Sequence, residues 1–361
     1  MSDPLRFATL ADVNADTGLD AEVAHIFRWD LDKTYLRTEF DTWIDLMRTA
    51  IERPERKRTV PGAAALMREL RAIGPVRVTI LSGSPEQMRD ALEAKLRLDG
   101  VQWDEFELKP SLRNLLRFRL RALRDQVGYK LPALLRARSR APAGAAETLF
   151  GDDAEADALV YSLYADILGG RIGEDTLLAV MEKAGAYADA IAEVMRSART
   201  LERTDPVRRI FIHLDRKSDP GFFVRYGPRV VPVYNYFQSA LVLVRDNVLP
   251  PEAAVRQGAV LTIEHDFDVR DLVVSAHDLA TRGHVNEEAL RRVADAAERI
   301  HDPFPLPARS RTELAAGLRQ APRGVEPGPI VVDYLAALAD DRARWEAAKQ
   351  RARREARGDD D

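Results

Sequence analysis

Asp30 and Asp32, in the stretch Trp29-Asp30-Leu31-Asp32-Lys33-Thr34, stand two residues apart, directly after an apolar run from Val23 to Trp29 that reads as a strand. In open α/β sheets ligands bind beyond the carboxyl ends of strands, where this run delivers its two acids. Such a pair can divide labour. One carboxylate attacks phosphorus to form an aspartyl phosphate, and the other protonates the leaving oxygen and later activates water. A capped turn with two solvated aspartates has the same pattern, so the weight falls on what accompanies it.

Three further elements follow. Thr79-Ile80-Leu81-Ser82-Gly83-Ser84-Pro85-Glu86-Gln87 ends a second β-branched run. Ser84 reads as a helix N-cap, Pro85 as the first helical residue and Gln87 as completing a capping box. Ser82 then lies just before a helix N-terminus, a phosphate-binding position with a hydroxyl donor, although a plain capped turn explains the same residues. Gly128-Tyr129-Lys130-Leu131-Pro132 offers a lysine that can neutralise a nucleophile and a phosphoryl group, or can be a surface charge. Gly151-Asp152-Asp153-Ala154-Glu155-Ala156-Asp157 again lies at a strand end and a helix start. Acids there favour the helix by capping alone. With Asp30, Asp152 can also supply the one or two carboxylates that a Mg²⁺ site takes from protein.

These residues need a scaffold. Strand candidates are Val23–Trp29, Val76–Leu81, Val101–Leu108, Thr148–Phe150, Arg209–Leu214 and Arg229–Val233. Helical stretches lie between them, such as Pro61–Ile73 closed by Gly74, and one from Ala154 to Gly169-Gly170. Alternating strands and helices predict a mostly parallel sheet covered on both faces. From about Leu249 only helical periodicity remains.

The order Asp-x-Asp-x-Thr, Ser, Lys, Gly-Asp-x-x-x-x-Asp resembles the haloacid dehalogenase superfamily of phosphatases and phosphotransferases, with Asp30, Ser82, Lys130 and Asp152 spaced by 52, 48 and 22 residues. Arg58-Thr-Val-Pro-Gly62, Leu81-Ser-Gly-Ser-Pro85 and Phe150-Gly-Asp-Asp-Ala-Glu-Ala-Asp157 further resemble the actin-patch-type phosphatidate phosphatase catalytic domain and its bacterial relatives, over about residues 24–170. The resemblance implies a Rossmannoid α/β catalytic domain over residues 1–248 without a large cap, and a helical C-terminal region over 249–361. It also implies roles. Asp30 would be the nucleophile, Asp32 the general acid/base, Lys130 the stabilising cation, and Thr34, Ser82 and Gly83 the phosphate-binding residues. Mg²⁺ would rest on Asp30, the main-chain carbonyl of Asp32 and Asp152, with Asp157 and Asp153 behind them. Two residues depart from the pattern: Lys33 stands where the relatives usually carry aspartate, and Gly83 where they usually carry asparagine.

Net charge is −4, yet Lys109–Arg140 carries ten Lys/Arg against Asp125 alone, so the remainder is acidic by −13. Leu112, Leu116, Leu120, Leu123 and Val127 follow helical spacing, with Arg113, Arg117, Arg121 and Arg124 on a neighbouring face. Such a helix can meet an anionic membrane or steer a phosphorylated substrate, or simply present its arginines to water. The balance argues against generic nucleic-acid binding. Cysteine is absent, which excludes thiolate metal sites and cysteine nucleophiles, and the six histidines show no metal-ligand spacing. The N-terminus lacks a signal-peptide pattern, and no apolar run reaches membrane-spanning length, so the expected location is cytoplasmic, peripheral at a membrane if the basic helix binds there. The expectation is a Mg²⁺-dependent phosphomonoester phosphatase, acting on phosphatidate or a related anionic lipid. The alternatives are a phosphatase of phosphoproteins, nucleotides or small metabolites, and a catalytically silent protein that binds phosphorylated partners.

Overall fold

The computed structural model describes residues 23–36, 59–109, 122–301 and 304–355. Six strands, β1 (His25–Asp30), β2 (Val76–Pro85), β3 (Glu105–Lys109), β4 (Ala146–Asp152), β5 (Val207–His213) and β6 (Val230–Val233), form one parallel sheet in the order β3-β2-β1-β4-β5-β6. Between them run α1 (Ala63–Arg71), α2 (Arg89–Leu98), α3 (Ala122–Ser139), α4 (Asp157–Leu168), α5 (Glu174–Ala184) and α6 (Ala188–Thr200). After β6 come α7 (Tyr236–Arg245), α8 (Pro251–Glu264), α9 (Val269–Thr281), α10 (Glu287–Arg299), α11 (Ala308–Arg319) and α12 (Tyr334–Glu355). This is the expected α/β, Rossmann-like architecture with helices on both faces.

The period-two alternation of the strands builds two cores. Phe27 and Trp29 of β1, Phe150 of β4, Phe211 of β5 and Val231 of β6 face α1, α2 and α7 to α11. Leu149, Ile210, Ile212 and Val230 face α3 to α6 and α12 instead. Trp29 stacks on Phe150 at 3.9 Å between centroids, and Phe150 on Phe211 at 5.1 Å, so three neighbouring strands are tied by one aromatic row. The helices that follow residue 249 join the same two cores: α8 to α11 pack on α1, α7 and one another in the first, and α12 packs on α4 and α5 in the second.

Several boundaries differ from the sequence expectation. The strand expected at Thr148–Phe150 runs from Ala146 to Asp152. It carries a buried glutamate, Glu147, whose oxygens accept from Arg28 Nε at 2.8 Å, Arg28 Nη2 at 2.9 Å and Tyr164 Oη at 2.8 Å. The strand expected from Val101 begins only at Glu105, because the Asp104 carboxylate accepts from Val78 N at 2.8 Å and from Arg71 at 2.7 Å and fixes the entry turn. The helix expected from Ala154 begins at Asp157.

Candidate metal centre and active site

The chain moves outward from β1 to β2 and β3, then returns to place β4 on the other side of β1. The crevice of such a sheet opens where the order reverses, beyond the carboxyl ends of β1 and β4. Asp30 ends β1 and Asp152 ends β4, so the topology alone brings these two carboxylates to one crevice.

The loop after β1 is a tight turn. Tyr35 N and Leu36 N both donate to Leu31 O, at 3.0 and 2.8 Å, and Lys33 takes a left-handed conformation with φ of 60°. That turn returns Thr34 Oγ1 to Asp30 Oδ2 at 3.3 Å, while Tyr236 Oη donates to Thr34 O. Lys33 thus occupies a backbone position that aspartate, asparagine or glycine adopts with less strain.

After β4 a second turn is built by carboxylates. Asp152 Oδ1 accepts from Ala154 N and Glu155 N, the latter at 2.9 Å. These amides are the ones a helix from Ala154 would have left free at its N-terminus, so Asp152 holds them in a turn and α4 starts later. Asp157 Oδ2 accepts from Asp152 N at 3.1 Å. This close approach requires Gly151: a Cβ there would lie 2.4 Å from Asp157 Oδ2.

Lys130, on α3, is completely buried and places Nζ 2.5 Å from Asp157 Oδ1, 2.7 Å from Glu155 Oε2 and 2.9 Å from Asp30 Oδ1. Asp30, Asp152, Glu155 and Asp157 each offer an oxygen within 4.8 Å of the others, a cluster that could hold a metal ion. One lysine faces four carboxylates. Asp30 Oδ1 and Asp152 Oδ2 are buried and accept no hydrogen bond, although the lysine ammonium lies beside the former. A buried carboxylate oxygen without a donor, Asp152 Oδ2, in a cluster of four acids that share one lysine, is what a hard cation needs from a protein.

Electrostatics agree with this reading. Burial raises the Asp30 carboxyl well above its ordinary value; Lys130 opposes the shift, and Asp157, Glu155 and Asp152 reinforce it. Asp152 is raised in the same way, by burial and then by Glu155 and Asp157. Asp157 is pushed up to about 6 by burial, with Lys130 pulling against it. Burial would lower the lysine, but Asp157, Asp30 and Glu155 hold it well above the usual range. Without a cation, the cluster keeps protons that isolated carboxylates would release.

Asp32 is held apart from this group. Its Oδ2 accepts from Ser82 Oγ at 3.0 Å and from Ser84 Oγ at 2.9 Å. Burial and the nearby Glu155 raise its carboxyl, while the two serine hydroxyls pull it back. Ser84 is therefore not the N-cap that the sequence reading made it. β2 runs on through Pro85, which precedes a short 3₁₀ turn (Glu86–Met88), and the serine hydroxyl is committed across the strands to Asp32. Gly83, between the two serines, leaves open space where a side chain would stand.

Asp153 has another task than the outer metal shell. Its carboxylate accepts from Arg216 N at 2.8 Å and Ser218 N at 3.0 Å, which fixes the loop after β5. Asp30, Asp152, Asp157 and Lys130 come together, and Asp32, Thr34 and Ser82 surround them through Asp30 and the β1–β2 ends. The site also draws on Glu155, Ser84 and Gly151, which lie inside the motifs already marked but carry no expected site role; Glu155 and Ser84 read there as helix capping.

The basic segment is described in part. Arg136 pairs with Glu193 and Glu107, Arg138 with Glu147, and Lys109 lies over the Tyr129 ring. Arg113, Arg117, Arg119 and Arg121 lie outside the described residues. Among the described residues no helix is long and apolar enough to cross a membrane.

Fold and site together define an α/β, Rossmann-like protein with a buried, metal-competent acidic cluster at the switch point of its sheet. Comparisons with protein-family models, curated proteins and solved structures find no match for this chain.

Proposed function

We propose that this chain is a Mg²⁺-dependent phosphomonoester phosphatase of the haloacid dehalogenase type, acting through an aspartyl-phosphate intermediate on phosphatidate or a related anionic lipid. The observation that carries the reading is the separation of two carboxylates by environment. Asp30 sits in the acidic cluster beside Lys130, while Asp32, two residues on, is held by two hydroxyls. Two acids in different environments take different chemical roles.

Asp30, Asp152 and the neighbouring Glu155 and Asp157 would hold the Mg²⁺, whose oxygen-only preference fits this donor set. When bound, it supplies charge neutralisation that lets an anionic nucleophile approach an anionic phosphate. The Asp30 carboxylate forms a bond to phosphorus as the ester P–O bond breaks, and Asp32 gives its proton to the departing oxygen. Asp32, now ionised, takes a proton from the water that attacks the phosphoaspartate, which releases phosphate and restores Asp30. Lys130 balances the charge gathered on the equatorial oxygens, and the Thr34 and Ser82 hydroxyls orient them. The Asp30-to-Lys130 contact of 2.9 Å aims the nucleophile and opposes the burial that favours its protonated form.

The test is phosphate release from phosphatidate vesicles and from soluble phosphomonoesters, each with Mg²⁺ and with a chelator. Chelator-sensitive release supports the proposal, with preference for vesicles supporting the lipid. No release from any monoester overturns it.

A further inference from the structure

β2 continues past the point where an ordinary strand-to-helix turn would begin. Its pairing with β3 shifts register between Ser82 and Pro85, and the extended backbone carries on to Pro85. Side chains two apart on a strand point the same way, so Ser82 and Ser84 both face Asp32, and both hydroxyls reach the same oxygen, Oδ2, at 3.0 and 2.9 Å. Ser84 N also donates to Ser82 Oγ at 3.0 Å.

A hydroxyl has one hydrogen to give. The amide of Ser84 fills an acceptor site on Ser82 Oγ, and the Ser82 hydrogen goes to Asp32. If Ser82 turns that hydrogen to a phosphoryl oxygen, as the proposed reaction asks of it, it withdraws it from Asp32. Ser84 is then the hydroxyl of the pair that still holds the acid. It is 4% exposed, so water offers it little alternative.

We propose that Ser84 is the positioning residue of Asp32, fixing its carboxyl through Oδ2 so that Oδ1 carries the proton delivered to the leaving oxygen. The inference rests on the phosphatase reading above. The balance is simple: as the P–O bond breaks, its electron pair stays on the leaving oxygen and the proton moves there from Asp32 Oδ1. The water of the second half-reaction returns a proton to Asp32. Ser84 touches neither phosphorus nor the leaving group; it acts by holding Asp32.

Leaving groups separate positioning from general damage. A nitrophenolate departs without a proton, whereas an alkoxide needs one. Ser84→Ala should lower kcat/KM, which reports the half-reaction that expels the alcohol, by on the order of ten- to a hundred-fold on an alkyl phosphate, part of the general-acid contribution, while kcat/KM on 4-nitrophenyl phosphate falls by less than about three-fold. Ser84→Thr keeps the hydroxyl and should restore the alkyl phosphate rate, with circular dichroism checking that both variants fold. Equal losses on the two substrates, no loss on either, or failure of a folded Ser84→Thr to restore the rate would each overturn the assignment of Ser84 while leaving the phosphatase reading in place. Absence of wild-type turnover on both substrates would overturn both.

Discussion

Asp152→Asn separates what the acidic cluster costs from what it is for. Asparagine keeps an Oδ1 acceptor for Ala154 N and Glu155 N, so the turn after β4 survives. What changes is Oδ2, buried and without a donor in the native protein, with Glu155 and Asp157 as its like-charged neighbours. A buried polar group without a partner costs about 1–3 kcal/mol, so in chelator the variant should be more stable than wild type by a gain of that order. The gain has a pH signature. The folded Asp152 pKa lies above its unfolded value, so its carboxyl favours folding while protonated and loses that contribution as pH rises through the folded value. Asparagine does not titrate. The advantage of the variant should be smallest in acid, where Asp152 holds its proton, and should grow as pH rises through the raised Asp152 value. Mg²⁺ reverses the ranking, because a ligand at a hundred times its Kd adds about 2.7 kcal/mol to the protein that binds it, and the variant has lost a ligand. Urea unfolding at several pH values, in chelator and in Mg²⁺, reads all three effects. A variant less stable than wild type in chelator at pH 8, or one that gains as much from Mg²⁺ as wild type does, would refute the reasoning.

Two other substitutions probe the supports of the site. Glu147→Gln removes the acid from a buried set with Arg28, Arg138 and Tyr164 and should cost about 3–5 kcal/mol in chemical unfolding, with the Mg²⁺ response intact. Burial opposes ionisation of Glu147, but Arg28 wins and holds its carboxyl below the usual range, so this stability is present at neutral pH and fades in acid; the variant should lack that acid sensitivity. Gly151→Ala drives a methyl to within 2.4 Å of Asp157 Oδ2, and should cost about 1–3 kcal/mol and weaken Mg²⁺ binding measured by calorimetric titration.

Periodicity made the sheet legible because the inner strands are rich in buried apolar residues: Arg209–Leu214 lies within two residues of β5 at either end, and Val76–Leu81 starts with β2 but stops four residues before its end. It failed where side chains of distant strands decide the local structure. Glu147 looks like a strand breaker until Arg28 stands beside it, and Ser84 looks like a helix cap until Asp32 claims its hydroxyl. Asp30, Asp152 and Asp157 could be selected because each stands in a motif at an element end, and Lys130 because of its place in the order of those motifs. That Lys130 comes from the middle of α3, beside an internal Pro132, and meets Asp30, Glu155 and Asp157 at once, depends on the β1–β4 adjacency, which no local pattern encodes. Asp153 shows the converse: a residue within the right motif whose carboxylate serves the loop after β5.

The most direct test of the central claim is Mg²⁺-dependent phosphate release by wild type and Asp30→Asn, compared on one monoester after both are shown to fold. The proposed mechanism predicts turnover by wild type and its loss in the variant, because in it Asp30, buried against Lys130 at the end of β1, is the group that would bond to phosphorus. Unchanged turnover in Asp30→Asn would contradict it.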